Sequence, residues 1–216
     1  MAKAAWCTVN PMKGKGNASL DITAGAHTGR TARSTTVTVA NQTGAKPSKS
    51  IAVSQAGKAL FITKVTGPTP ASLSAAGGVI VVTGKSNAKM INLVESLDRV
   101  SAHEFKVNGI VQTDSNGDFT NPQFIIAGDP GATGEYTFES KVTIPPNIFA
   151  ESLQIEIVYK GCITTIDEAS APTFTIALTQ AGATSTISTD KASLSLVAAG
   201  TAQRVAVTSN DNWVIS

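Results

Sequence analysis

The sequence predicts an all-β chain of β-sandwiches, one complete and one divided between the two termini. Three observations predict it. Thr, Ser, Val, Gly and Ala dominate the 216 residues, a composition that suits many short strands joined by tight turns. Apolar and polar residues alternate at period two through most segments, the pattern of a strand with one buried face, while helical spacing is scarce. Two signature segments also recur. Ser50-Ile51-Ala52-Val53-Ser54-Gln55-Ala56-Gly57 returns as Thr175-Ile176-Ala177-Leu178-Thr179-Gln180-Ala181-Gly182. Ala71-Ser72-Leu73-Ser74-Ala75-Ala76-Gly77 returns as Ala192-Ser193-Leu194-Ser195-Leu196-Val197-Ala198-Ala199-Gly200. Each copy of the second is followed by an alternating strand and then by Ser-Asn, at Ser86-Asn87 and Ser209-Asn210.

The order along the chain is closing segment, opening segment, closing segment, opening segment. A whole unit therefore spans residues 60–182. Residues 1–57 (the head) lack an opening, and residues 185–216 (the tail) lack a closing. Written tail to head, Asn212-Trp213-Val214-Ile215 and Trp6-Cys7-Thr8-Val9-Asn10-Pro11 make one pattern.

In the head, residues 4–9, Ser19–Thr23, Ser34–Ala40 and the segment of Ile51 and Val53 read as strands. The breaks between them fall at Asn10-Pro11, Gly14–Asn17, Gly25–Gly29 and Asn41–Ser48. The whole unit is entered through Gly67-Pro68-Thr69-Pro70. Its strands are Val79–Thr83, Phe105–Val107, Ile110–Thr113, Gln123–Ile126, Glu135–Ile144, Leu153–Tyr159 and Thr173–Thr179. Asn108-Gly109 is a strong hairpin signal. Met90–Val100 is ambiguous: Met90, Val94 and Leu97 fit a helical face, while the repeat starts the segment as a strand, so one short helix is allowed. Pro145-Pro146-Asn147 could begin one helical turn. In the tail, Ser193–Leu196 and Arg204–Thr208 are strands, and Trp213-Val214-Ile215 starts a third.

These residues resemble BACON domains, the Ig-like sandwiches of Bacteroidetes and their phages. The resemblance lies in Ser193-Leu194-Ser195, Val205-Ala206-Val207-Thr208-Ser209-Asn210 and Trp213. It continues in Trp6-Cys7-Thr8-Val9-Asn10-Pro11, Gly14, Gly16, Arg33–Val39 and Ile51–Gly57. It covers residues 1–57 and 185–216. The middle unit has no Trp-Cys-x-Val-x-Pro and is long for the family. Its kinship rests on Gln180-Ala181-Gly182, Lys141-Val142-Thr143-Ile144 and its opening strand, which make it Ig-like.

Charge is low and nearly balanced, 17 basic against 15 acidic residues, which argues against generic nucleic-acid binding. The balance hides an asymmetry: residues 1–58 carry +7, residues 59–183 carry −5 and residues 184–216 are neutral. That division suits either head-to-tail neighbours or two differently solvated surfaces. The first residues lack the pattern of a secretory leader, and no apolar run approaches a membrane span. Cys7 and Cys162 lie in different units and are expected as free thiols within strands.

Chemical motifs are sparse, and no cofactor is expected. Asp114, Asn116 and Asp118 alternate as in a calcium loop, but Phe119 and Ile125 stand where that loop wants Gly and an acid. The reading is a hairpin tip on Asn116-Gly117. His27 and His103 have no partner identifiable by motif and read as surface residues. Asp129-Pro130-Gly131 and Gly14-Lys15-Gly16 are turns, the latter without the context of a phosphate loop. Trp6 and Trp213 could stack on sugars, but aromatics are only 5% of the chain, and both sit in alternating strands, so core positions are the better reading.

Two closures are open. The tail can fold onto its own head, or it can complete the head of another subunit; short joints near Lys58-Ala59 and Ala183-Thr184 tilt the reading to exchange. The complementing residues expected are Trp6, Val9, Val37, Val39, Ile51 and Val53 on the head, with Leu194, Leu196, Val205, Val207, Trp213 and Ile215 on the tail. The resemblance implies a non-enzymatic virion component of a Bacteroidetes phage of the crAss-like kind: a capsid decoration, head fibre or tail-associated protein assembled in the host cytoplasm. Its partners would be itself and other virion proteins. The alternative it implies is a carbohydrate-binding module for host or mucin glycans.

Overall fold

The computed structural model describes residues 3–44, 46–68, 71–96, 99–117, 121–164 and 170–215. The chain is all-β. The head holds β1 (Cys7–Asn10), β2 (Asp21–Ala24), β3 (Arg33–Ala40) and β4 (Ser48–Gln55). The middle holds β5 (Ile62–Thr66), β6 (Ala71–Leu73), β7 (Gly78–Ser86), β8 (Met90–Glu95), β9 (Ala102–Val107), β10 (Ile110–Gln112), β11 (Gln123–Ile125), β12 (Tyr136–Ile144), β13 (Leu153–Cys162) and β14 (Thr173–Gln180). The tail holds β15 (Ile187–Thr189) and β16 (Val207–Ser209).

The middle strands form two five-stranded sheets, ordered β10-β9-β12-β7-β5 and β11-β8-β13-β14-β6. Neighbours are antiparallel except β6 and β14, which run parallel with Leu178 opposite Ala71 and Gln180 opposite Leu73. The inward residues of both sheets make one core, with Ile80, Val82, Phe105, Val142 and Ile144 on one side and Ile91, Leu93, Ile155, Ile157, Ile176 and Leu178 on the other. That is a β-sandwich.

An aromatic stack crosses this core. Phe124 lies 4.6 Å from Phe105, Phe105 5.4 Å from Phe138, and Phe138 6.2 Å from Tyr159, which stacks on Phe174 at 4.7 Å. Gly84 opposes Phe138 in the ladder, and a Cβ there would run into the Phe138 ring. The missing side chain is what lets the ring lie flat against β7.

Both tyrosines are buried. The Tyr136 hydroxyl donates to the Ala88 carbonyl (3.0 Å), and the Tyr159 hydroxyl donates to Ser140 Oγ (2.9 Å). Burial raises both phenol pKa values above the ordinary range. In the unfolded chain they ionise near pH ~10. Their contribution to stability is therefore full below that pH and is lost as pH rises toward the folded values. A spectrophotometric titration should show no tyrosinate up to about pH 11 while the fold persists. Both groups should then ionise together as the sandwich unfolds. Ordinary titration of either tyrosine in the folded protein would contradict its burial.

The structure corrects several expectations. Met90–Glu95 is a strand, not a helix: it is wedged between β11 and β13 and buried on both faces, so its sequence shows no alternation. Leu97 lies outside the described residues. Pro145-Pro146-Asn147 starts no helical turn; a 3₁₀ turn forms at Pro130–Ala132. Ser193–Leu196 and Trp213–Ile215 are not strands here, and the strand expected at Arg204–Thr208 shrinks to β16. Each lacks a neighbour to pair with. The Asn108-Gly109 hairpin forms as expected, pairing Val107 with Ile110. Both turn residues take positive φ, 47° and 83°.

No β-ladder joins the head to the tail among the described residues. β1 pairs only with β2, β3 only with β4 and β15 only with β16 among the described residues. The ladder that self-closure would need, one of the two routes left open by the sequence, is absent among the described residues.

Candidate functional site

The candidate site is the uncovered two-stranded ladders of the head and tail together with the two joints that hold them to the middle. On the head, Trp6 is half-buried beneath the Arg33 guanidinium, 4.6 Å above its ring. Val37 and Cys7 are buried, Val9 and Val53 half-buried, and Val39 and Ile51 exposed. On the tail, Leu194, Leu196, Val205, Val207, Trp213 and Ile215 are all exposed. The expectation that both Trp rings are core residues fails for Trp213 in the single chain, because no second layer covers it.

The joints share a common set of bonds. Where the head runs into the middle, Lys58 N–H donates to the Gly29 carbonyl at 2.8 Å. The Asn87 amide donates to the carbonyls of Thr28 (3.2 Å) and Ala59 (3.1 Å) and accepts from Phe61 N–H (2.9 Å). Ser86 Oγ donates to the Phe61 carbonyl (2.7 Å) and accepts from Ala88 N–H (2.9 Å). Where the middle runs into the tail, Ala183 N–H donates to the Phe149 carbonyl at 2.8 Å. The Asn210 amide donates to the Thr184 carbonyl (2.9 Å) and accepts from Thr186 N–H (2.7 Å). Ser209 Oγ donates to the Thr186 carbonyl (3.0 Å) and accepts from Asp211 N–H (3.1 Å).

The glycines match as well. A Cβ on Gly57 would overlap the Arg30 carbonyl oxygen, and one on Gly182 would overlap that of Ala150. So do the glutamines: Gln55 Nε2 donates to the Gly25 carbonyl (3.0 Å) and Gln180 Nε2 to the Pro145 carbonyl (2.8 Å). The Gln-Ala-Gly and Ser-Asn signatures are therefore the two jaws of a clamp between consecutive units.

The first joint has contacts that the second lacks. Arg30 and Thr31 N–H groups donate to the carbonyls of Gly131 (3.0 Å) and Ala132 (2.8 Å). The Arg30 guanidinium pairs with the Asp129 carboxylate, and Glu135 N–H donates to Thr28 Oγ1 (3.0 Å). At the second joint, Ile148 and Phe149 take the places of Thr28 and Gly29, and both stay exposed.

No catalytic centre assembles among the described residues. On the outer face of β9 and β12, Glu104 lies 2.8 Å from Lys106 and 3.2 Å from Lys141, which also reaches Glu139 at 3.6 Å. Hydrogen bonds from Lys106 and then Lys141 hold the Glu104 carboxyl below the usual range. This is a solvated ion network on a sheet face, with His103 beside it in a shallow depression. His27 Nε2 is 2.7 Å from the Thr31 carbonyl. Asp114 Oδ1 accepts from Asn116 N–H (3.1 Å) and Gln123 N–H (2.9 Å), as a hairpin tip requires. Asp118 and Phe119 lie outside the described residues. Among the described residues no group of His, Cys, Asp and Glu could hold a metal ion. Cys7 and Cys162 are both buried, and no disulfide joins them. No described helix is long and apolar enough to cross a membrane.

Residues 1–56 match the BACON family, described as "Putative binding domain, N-terminal". The match falls on the head and stops at the clamp. No curated protein matches the chain. Among solved structures, the chain is similar to BslA, a bacterial hydrophobin, at 11% identity over 56% of this chain and 99% of that one (TM-score 0.34). It is similar to a protein from Bacteroides thetaiotaomicron at 15% identity over 57% and 88% (TM-score 0.27). It is also similar to the EC1–3 region of mouse protocadherin PcdhgC3 at 12% identity over 73% and 46% (TM-score 0.34).

The sequence did not reveal the clamp. Ser-Asn and Gln-Ala-Gly were visible as repeats; the bonds each makes at a joint were not. Arg30 and Asp129, 99 positions apart, gave no signal at all.

Proposed function

We propose that this chain is a non-enzymatic structural and binding protein that assembles by completing half-sandwiches. One observation carries the reading. Over three residue pairs the tail repeats the register of the middle unit's first ladder, and it leaves its apolar face bare. Ile62 opposite Ser86 becomes Ile187 opposite Ser209, and Lys64 opposite Gly84 becomes Thr189 opposite Val207. Ile62 is 4% exposed, whereas Ile187 is 63% exposed. Burying side chains of this size contributes roughly 1.5–3 kcal/mol each, so a face with several of them strongly favours a cover. The family description of residues 1–56 as a binding domain supports a role in association.

The setting we favour is a phage virion surface, as a decoration, head fibre or tail protein, where a repeating unit with two joinable ends is useful. The resemblance of the sequence supports this placement, and mass spectrometry of purified particles tests it. The half-exposed Trp213 ring keeps a glycan-binding reading in play. Clean binding on a glycan array, lost in Trp213→Ala without loss of assembly, would favour it.

The test of assembly is the mass of the whole protein across a dilution series. Concentration-dependent oligomers are expected, with loss of assembly when residues 203–216 are deleted or when Val205→Asp and Val207→Asp are combined. A strict monomer from micromolar to millimolar concentration would refute the proposal.

A further inference from the structure

We infer that the tail is received by the head of a second copy of this chain, in a register that the middle sandwich already displays. The inference rests on the half-sandwich reading and adds its partner and its strand pairing.

The correspondence is fixed at several places. In the tail, Gly200 N–H donates to the Val197 carbonyl at φ 72°, as Gly77 N–H donates to the Ser74 carbonyl at φ 74°, both at 3.0 Å. From these glycines to Asn87 and Asn210 the two segments have equal length. Val205 therefore stands for Val82, Arg204 for Val81, Trp213 for Met90 and Val214 for Ile91. In the head, the glutamine bonds equate Gly25 with Pro145, and the joint bonds equate Gly29 with Phe149 at the same spacing. Ile22 thus stands for Val142, Asp21 for Lys141 and Leu20 for Ser140. Gln55 stands for Gln180, and Val53 for Leu178.

The middle pairs Ser140 with Val82, Lys141 with Val81 and Thr143 with Val79. Transposed, Leu20 pairs with Val205, Asp21 with Arg204, and Thr23 with Ala202. The register sets an acid opposite a base: Asp21 is the sole acid of residues 1–58, and Arg204 is one of two bases after residue 183. Counted back from the same glycines, which puts the two extra residues of the tail copy before Leu194, the parallel pair of Leu178 with Ala71 becomes Val53 with Leu194, and Gln180 with Leu73 becomes Gln55 with Leu196. Met90 with Cys162 becomes Trp213 with Gln42.

Exposure agrees with the transposition. Val214 is 91% exposed where Ile91 is 0%, and Ile51 is 40% exposed where Ile176 is 1%. An incoming head also places the segment before β2, with its exposed Met12, near the uncovered Ile148 and Phe149 of the second joint.

The donor must be another copy. The head is clamped at the pole where β7 ends at Ser86, and the tail at the pole where β7 begins at Gly78 and meets Ile144. Nine strand residues separate the poles, about 30 Å. With both joints bonded, the tail faces away from its own head. The contact is heterologous, so it propagates into a chain or closes into a ring. A basic head beside an acidic middle favours this head-to-tail order.

The test uses full-length chains with Thr23→Cys or Ala202→Cys, both at exposed positions. Under mild oxidation, the two variants mixed should give a disulfide-linked dimer and nothing larger. The double variant should give a ladder, and Thr23→Cys with Arg204→Cys should link far less. Charge reversal by Asp21→Arg or Arg204→Asp should weaken assembly several-fold, and the two together should restore it. A fast-running monomer with an internal disulfide would overturn the second-copy assignment. Assembly without in-register linkage would overturn the register while leaving the half-sandwich reading intact. Absence of assembly in the unmodified chain would remove both.

Discussion

Replacing Phe138 with Ala is expected to destabilise the middle sandwich by about 3–5 kcal/mol, the cost of removing a fully enclosed aromatic ring. Phe138 is 2% exposed and lies at the centre of the stack, between Phe105 on one side and Tyr159 and Phe174 on the other. Gly84 has no side chain with which to fill the hole, and the flanking rings are themselves tightly packed. Collapse into the void is therefore poor, which puts the cost toward the upper end. Chemical denaturation followed by far-UV circular dichroism measures it. Phe138→Leu keeps most of the volume and should cost less than half as much. A loss below ~1 kcal/mol for the alanine variant would mean that the ring does not fill the core as described.

Replacing Asn87 with Ala is expected to uncouple the head from the middle. The side chain is fully buried, and its amide serves groups from three places: the Phe61 N–H and the carbonyls of Thr28 and Ala59. A buried polar group left without a partner costs about 1–3 kcal/mol, so the loss should reach ~3 kcal/mol or more. Hydrogen exchange at Arg30 and Thr31, whose N–H groups bond to Gly131 and Ala132, should accelerate strongly. Asn210→Ala removes the matching bonds at the second joint, but that residue is only half-buried in the single chain. Water can replace its partners, and the expected cost is about 1 kcal/mol. The two substitutions thus separate a joint that is covered from one that is not. Equal effects would show that covering makes no difference.

The all-β class and most strands of the middle unit were legible because alternation is a local property. β12 and β13 show it over nine and ten residues, and Asn108-Gly109 encodes its own turn. Met90–Glu95 misled because a strand enclosed on both faces carries no period. Ser193–Leu196 and Trp213–Ile215 misled for another reason: their patterns suit strands, but a strand needs a neighbour, and within one chain these have none. Of the candidate site, the repeated signatures were legible in the sequence. The clamp was not, because its bonds join residues up to 59 positions apart. Signature segments read as punctuation became, in three dimensions, the parts that hold each joint together.

The chain arrives at one pole of the middle sandwich beside Ser86 and departs at the other beside Gln180. Tension applied through neighbouring units would consequently run lengthwise along the strands. Rows of backbone bonds lying across that direction must then rupture together rather than unzip one at a time. A string of such units would behave as a stiff tether under load, yielding by the abrupt loss of whole modules.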